Sequence, residues 1–344
     1  MSSPKIFVTR RMPEPGMTIL ADSGAAITVC KQNESEGLSR EELVDGVRGC
    51  DVLVSLLTEP IDRDLMMVNA SLLGIANMAV GFNNIDIEAA NELGIPVSNT
   101  PGVLTDTTAD LTWALMLAVA RQIPQAHSYM AAGSYKLWGP NLFLGGDVGP
   151  GASGVRKVLG IVGYGRIGAA VAKRALGFDM NVLAFDPYAR EAIDGSDRAS
   201  WADLAELLER SDFVSLHPLL TDETHHLIGE AELRRMKSTA YLVNTARGPV
   251  VDEVALVRAL REDWIAGAGL DVYEDEPVMA PGLAELPNAV LLPHIASASN
   301  DTRGKMSTMA ATNALTHLRN EPAANPVNPE VYDSAAYRRR TEGG

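Results

Sequence analysis

Short apolar runs of strand length alternate with helical stretches along almost the whole chain. This alternation constrains the fold most, because strands separated by helix-length segments pair in parallel, with helices on both faces of the sheet. In the first part, Ile6–Val8, Ile27–Val29, Val52–Val54 and Ile75–Val80 read as strands, and Ser39-Arg-Glu-Glu42 is a capping box that opens a helix between two of them. In the second part the strands are Val158–Val162, Val182–Phe185, Phe213–Leu216, Tyr241–Val243, Gly267–Val272 and Val290–Leu292, with a helix starting at Ser200. That makes at least six βα steps, and no internal repeat is evident.

A length of 344 residues suggests about two domains. The stretch Thr105–Arg121 reads as one long helix, apolar nearly all round from Leu111 to Ala120, so it must be buried on several sides. It suits an element that joins two domains and packs against a partner subunit, and it suits a plain core helix equally. Residues 133–154 are rich in Gly and Pro and lack periodicity, as expected of an ordered surface excursion. A last helix, about Asn300–Arg319, is expected to return to the first domain, so that two crossings join the domains in hinge geometry.

Composition excludes several classes of partner. Apolar residues at 46% and charged residues at 21% are ordinary for a soluble globular protein. The formal net charge of −15 argues against nucleic acid and anionic membranes, and it means that an anionic ligand needs a local positive site. Cys30 and Cys50 form no CxxC pair and no disulfide framework, which fits a reduced, cytoplasmic setting. The N-terminus moves straight into a strand without a signal-peptide core. The longest apolar run, Leu111–Ala120, is about half of what a membrane span needs. The C-terminal Arg338-Arg-Arg-Thr-Glu-Gly-Gly is expected to be a frayed tail without a lipidation or peroxisomal signal.

The segment Gly163-Tyr164-Gly165-Arg166-Ile167-Gly168 is weak evidence alone, since 30 glycines give a chance GxGxxG roughly 0.2 times. Its context strengthens it. It follows an apolar strand and opens a helix with Ala169, Ala170 and Ala172, small enough for close packing. Gly163 permits the tight turn, Gly165 lets backbone approach a pyrophosphate, and Gly168 lets helix and strand come close, with helix N-terminal amides facing the phosphates. Asp186 lies eighteen residues beyond Gly168 at the end of the next strand, in an Asp186-Pro187 step. A carboxylate there accepts hydrogen bonds from a ribose and repels a 2′-phosphate, which favours NADH over NADPH. Arg190 is the residue that could rescue NADPH binding.

Ligands of open α/β sheets bind beyond the carboxyl ends of the strands. Arg247, Asp271 and His294 sit at or just past such ends, and Glu276 follows in the loop beyond Asp271. A guanidinium can grip a carboxylate and polarise a carbonyl. An imidazole delivers a proton near neutral pH, and a neighbouring carboxylate steadies the imidazolium. Together, Arg247, Glu276 and His294 behind a dinucleotide loop point to hydride transfer to a small 2-keto acid. His217, with Pro218, sits at the same edge and suits a cofactor wall. His127, His225, His226 and His317 have no partner motif and read as solvated. No metal-ligand spacing appears, and no metal is expected.

These residues resemble those of the D-isomer-specific 2-hydroxyacid dehydrogenase family over about residues 5–322. The stretches that carry the likeness are Gly163–Gly168, Asn244-Thr-Ala-Arg247-Gly-Pro-Val-Val-Asp252-Glu, Gly269-Leu-Asp-Val and Pro293-His294-Ile. Within the family, Val80–Asp86, Asn99–Asp110, Trp138–Leu144 and Pro293–Ser299 look most like glyoxylate and hydroxypyruvate reductases. The resemblance implies an α/β fold of two doubly wound parallel-sheet domains, a Rossmann cofactor domain inserted in a flavodoxin-like substrate domain. The expected boundaries are 1–104 for the first part of the substrate domain, 105–296 for the NAD domain including the dimerisation helix and loop 105–156, 297–326 for the returning helix, and 327–344 for a tail.

The resemblance also implies His294 as acid/base, Glu276 as its partner and Arg247 as substrate clamp. Amides around Val80 and Gly81 would hold the substrate carboxylate, with Leu57 lining the pocket. Asp271 would meet the nicotinamide carboxamide, Thr245-Ala246-Arg247 the nicotinamide ribose, and Thr108 the phosphates. A Trp in the position of Trp138 reaches into the neighbouring subunit's site, which implies a homodimer. The loop Gly145–Arg156 departs from the family in being longer and richer in glycine. The expected reaction is reduction of hydroxypyruvate or glyoxylate. The alternatives are an NAD(H)-sensing protein of corepressor type and a short-form 3-phosphoglycerate dehydrogenase.

Overall fold

The computed structural model describes residues 3–32 and 37–342. The chain divides into two compact units, one built from residues 1–103 and 298–344, the other from 104–297. Each unit holds one sheet whose strands all run parallel.

The first unit contains β1 (Lys5–Arg10), β2 (Ala26–Lys31), β3 (Val52–Ser55), β4 (Gly74–Asn77) and β5 (Val97–Ser98) in the order β2-β1-β3-β4-β5. Every residue of β3 and β4 is buried, which explains why neither strand alternates apolar with polar positions; each ends on one buried polar residue, Ser55 or Asn77. The capping box forms as expected: Ser39 Oγ accepts from the Glu42 amide, and the Glu42 carboxylate accepts from the Ser39 amide. Two readings need correction. The run Ile75–Val80 is a strand only to Asn77, where the chain turns off the sheet edge. The two-residue β5 is too short to show a period, and it was not expected.

The helix Asn300–Leu318 belongs to this unit, where it packs on the helix Glu14–Ala21 and on β3 and β4. Ser307 Oγ accepts from the Gly16 amide at 3.1 Å, and the Asn313 amide group donates to the Asn99 carbonyl at 3.2 Å. His317, read above as solvated, is buried on this helix with Nε2 2.9 Å from Ser98 Oγ. Burial pushes its imidazole down to about 4.

The expected frayed tail is also corrected as far as residue 342. The Val327 amide bonds the Val97 carbonyl at 2.8 Å, and Asn328 Oδ1 accepts from the Val97 amide at 2.8 Å. A closing helix, Ala335–Glu342, then carries Arg340, whose guanidinium donates to the carbonyls of Ala70, Leu72 and Leu93 at 2.8–2.9 Å. Leu93 ends the helix Ile87–Leu93, so Arg340 satisfies a carbonyl that the helix leaves without a partner.

The second unit contains β6 (Val158–Val162), β7 (Asn181–Phe185), β8 (Ser200–Trp201), β9 (Phe213–Leu216), β10 (Tyr241–Asn244), β11 (Gly267–Leu270) and β12 (Ala289–Leu291) in the order β12-β11-β10-β9-β6-β7-β8. The order reverses between β6 and β9, which opens a crevice at their carboxyl ends. Ser200 opens a strand, not a helix. The helix Leu204–Arg210 starts later because Asp203 Oδ1 accepts from the Glu206 amide at 2.8 Å and caps it. One core cluster contains Val162, Leu216, Leu242 and Leu270, and another contains Leu159, Ile161, Phe213 and Val243. Adjacent strand residues thus feed cores on opposite faces.

The helix Thr105–Ala120 packs within this unit on β10, β11 and the helix Arg166–Ala175, and Trp113 stacks on Phe178 with ring centroids 4.4 Å apart. The following helix, Ile123–Ala131, buries no residue. The glycine-rich loop is pinned back: the Gly146 amide bonds the Ala120 carbonyl at 2.8 Å, and Val148 enters the core. No helix among the described residues is long and apolar enough to cross a membrane.

Candidate active site

The crevice beside β6 is lined by the glycine loop. Gly163 turns at φ +91°, and a Cβ there would lie 2.6 Å from the backbone of His217 and Pro218, so only glycine lets these segments touch. A Cβ on Gly165 would meet nothing within 4 Å, which leaves its backbone open to a ligand. Asp186 stands at the end of β7. Its Oδ2 accepts from the Tyr164 amide at 2.8 Å and its Oδ1 from the Tyr188 amide at 2.9 Å. Tyr164 is buried, whereas Arg166 and Pro187 are exposed and Ile167 is half-buried. Arg190 lies with its guanidinium 4.0 Å from the centre of the Trp201 ring and 3.6 Å from Asp194. This open turn on a helix N-terminus, with a carboxylate held beside it, fits a dinucleotide.

His217 bonds Ser215 Oγ through Nε2 at 2.8 Å, and burial pushes its imidazole down to about 3. It stays neutral near pH 7, as suits a wall and not a proton donor. Thr108 is buried, and its carbonyl accepts from Thr112 Oγ1 at 2.9 Å. Thr112 in turn bonds Thr245 Oγ1 at 2.9 Å and so ties its helix to the end of β10.

The segment after β10 is held by Asn244. Its Oδ1 accepts from the Ala246 amide at 3.0 Å, and its Nδ2 donates to the Arg247 carbonyl at 2.9 Å. Arg247 Nη1 donates to the Ala246 carbonyl at 2.6 Å. Burial lowers the pKa of the Arg247 guanidinium and Glu276 partly offsets this, so a charged Arg247 stands within electrostatic reach of Glu276. Directly after it, Gly248 is pressed on the backbone of Tyr273, and a Cβ there would sit 1.7 Å from the Tyr273 carbonyl oxygen. Buried Glu253 fixes the facing loop by accepting from the amides of Glu274 at 2.7 Å and Ala280 at 2.6 Å.

His294 Nδ1 lies 3.0 Å from Glu276 Oε2, and the two side chains are 25% and 30% exposed. The pair is therefore reachable from solvent. His294 occupies the left-handed region at φ +53°, unusual for a residue with a side chain. Asp271 holds it there, its two oxygens accepting from the amides of Ile295 and Ala296 at 2.8 Å each. Burial pushes the Asp271 carboxyl up, while those amides and His294 pull it back down. Two backbone bonds already engage this carboxylate, so the structure gives Asp271 a positioning task beside the cofactor contact expected of it.

The structure thus gathers Arg247, Asp271, Glu276 and His294 at one sheet edge, with Thr245 and Ala246 in the same turn. It places Trp138 elsewhere, 70% exposed in the surface excursion. Leu57, Val80 and Gly81 belong to the first unit, past the carboxyl ends of β3 and β4. There Asn99 Nδ2 bonds the Val80 carbonyl at 2.8 Å and Asn77 Nδ2 the Gly81 carbonyl at 3.0 Å. Among the described residues, the amides of Val80 and Gly81 make no hydrogen bond. Asn244, Glu253 and Thr112 were missed as supports. Asn244 could have been found as an Asx residue ending a strand.

Known proteins share this architecture. The family model for "D-isomer specific 2-hydroxyacid dehydrogenase, NAD binding domain" matches residues 113–296, more than half of the chain. The chain belongs to the D-isomer-specific 2-hydroxyacid dehydrogenases. A protein of this family from Korarchaeum cryptofilum, named glyoxylate reductase, is 48% identical over 330 residues, covering 95% of this chain and 97% of that one. A solved structure from Thermus thermophilus is 42% identical with a TM-score of 0.85, covering 94% of this chain and 99% of that one. An NADPH-dependent glyoxylate/hydroxypyruvate reductase from Sinorhizobium meliloti is 28% identical with a TM-score of 0.78, covering 98% of each chain. Family membership makes this chain an oxidoreductase that uses a nicotinamide cofactor, and the expected fold class of two doubly wound parallel sheets is borne out.

Proposed function

We propose that this dehydrogenase reduces glyoxylate or hydroxypyruvate and prefers NADH. The His294–Glu276 hydrogen bond at 3.0 Å, at the same sheet edge as Arg247, carries the reading. A bound nicotinamide supplies the hydride. His294 delivers the proton to the carbonyl oxygen while Glu276 steadies the imidazolium through Nδ1. Arg247 grips the substrate and stabilises charge developing on that oxygen. The Val80 and Gly81 amides are assigned to the substrate carboxylate because their carbonyls are locked and their N–H groups make no other bond; Leu57 is assigned to the pocket wall. Asp271 is assigned to the nicotinamide carboxamide, Thr245 and Ala246 to its ribose, and Thr108 to the phosphates.

The substrate class is supported by the name of the Korarchaeum relative. The preference for NADH is supported by Asp186, which sets a carboxylate where a 2′-phosphate would lie, and by Arg190, which is turned onto Trp201. A homodimer is supported by the apolar surface of the excursion, where Leu137, Trp138 and Leu144 are each at least 67% exposed.

The test is loss of NADH absorbance with glyoxylate, hydroxypyruvate, pyruvate and 3-phosphohydroxypyruvate offered in parallel. Fast turnover is expected on one of the first two, and turnover confined to the others removes the substrate assignment. In the same assay, Asp186→Ala is expected to lower the NADH-to-NADPH ratio of kcat/KM about tenfold, a difference near 1.4 kcal/mol. A ratio that stays put in this variant removes the role given to Asp186.

A further inference from the structure

Away from the residues assigned to catalysis, His225, His226 and Glu274 offer ligand atoms that all lie within 4.8 Å of one another. His226 Nε2 and Glu274 Oε1 are 2.6 Å apart, and the two imidazoles stack with centroids 4.1 Å apart. Neighbouring side chains in extended backbone point to opposite sides. These two share a side within a turn, where His226 adopts the left-handed conformation at φ +51°. A simple His–Glu pair needs only His226, so the alignment of His225 with it is left over.

Backbone bonds hold both halves of the cluster. The His226 amide donates to the Pro249 carbonyl at 2.8 Å, and the Ile228 amide to the Val250 carbonyl at 3.1 Å. The Glu274 amide donates to buried Glu253, and Glu274 Oε2 accepts from the Glu253 amide at 3.1 Å. Two segments far apart in sequence, the turn after β9 and the loop after β11, therefore present a nearly preformed set of donors.

Two imidazoles and one carboxylate suit zinc, cobalt, nickel or copper, whereas magnesium and calcium favour all-oxygen sets. Ligand bonds of about 2.1 Å require donor atoms roughly 3.3 Å apart, so His226 and Glu274 need separate by less than about 1 Å while His225 closes in. The side chains of His226 and Glu274 are 37% and 26% exposed, which leaves room for water at the remaining positions.

We propose that His225, His226 and Glu274 form a binding site for a divalent transition-metal ion. The ion staples the turn after β9 to the loop that carries Glu276, two residues beyond Glu274.

The test uses the full chain stripped with EDTA and titrated with CoCl2 by visible absorption, then with ZnCl2 by calorimetry. One ion per chain is expected, with a cobalt spectrum typical of nitrogen and oxygen ligands. His225→Ala, at an exposed position, should weaken binding at least about tenfold. NADH binding should be unchanged in that variant and reports that it is folded. Glu274→Gln should weaken binding likewise. Absence of binding in the parent chain, or the same affinity in His225→Ala, overturns the proposal.

Discussion

His294→Ala is expected to lower turnover about 10²–10⁴-fold while NADH still binds, because the variant removes the proton donor and leaves the glycine loop intact. Stopped-flow reduction of glyoxylate and NADH fluorescence titration check the two halves separately. The change is confined because Asp271 grips the amides of Ile295 and Ala296. The turn should therefore survive loss of the ring. Near-parental turnover would remove His294 from the chemistry and with it the role given to Glu276. Loss of NADH binding would show that the ring holds the site together.

The second large effect is one of stability. Gly248→Ala would place a methyl group 1.7 Å from the Tyr273 carbonyl oxygen. No side chain can turn away to relieve a clash with backbone, so the loops after β10 and β11 must part. The expected cost is about 3 kcal/mol, read as a lower urea midpoint for the second unit. Arg247 precedes Gly248, and Glu276 follows three residues after Tyr273, so the parting also spoils their alignment. A loss in kcat/KM on the order of 10²-fold is expected from a displacement near 1 Å. An unchanged midpoint would mean that the two loops are not pressed together.

What could be read from the chain follows the range of the forces involved. The glycine loop, Asp186 and the capping box at Ser39 are local devices whose chemistry lies within a few residues or one βα step. The long apolar runs of β3, β4 and β6 announce a sheet covered on both faces. The two-residue strands β5 and β8 carry no period, and Ser200 resembles a helix start until Asp203 is seen capping the real one. His317 resembles a solvated histidine because its helix has no strong apolar stripe; its burial depends on β4 and β5, more than two hundred residues earlier. Arg338–Arg340 resemble a solvated charge run because the carbonyls that Arg340 meets are arranged by tertiary structure. Arg247, Glu276 and His294 were legible as strand-end residues of the right chemistry. Asn244 was legible too, as an Asx residue bonding its own turn, whereas Glu253 and the amide bonds of Asp271 were not, since their partners come from other loops.

Arg340 and Asn328 have one more consequence, which concerns the order of synthesis. The first unit needs residues 298–342 to cover β3 and β4 and to close the carbonyls of Ala70, Leu72 and Leu93. Those residues leave the ribosome after all of 104–297. The inserted second unit can thus complete its sheet while five earlier strands still wait for their covering helix. During translation, the open edge at β5 is the nascent chain's aggregation-prone surface, and it is bonded only when residues 325–328 arrive.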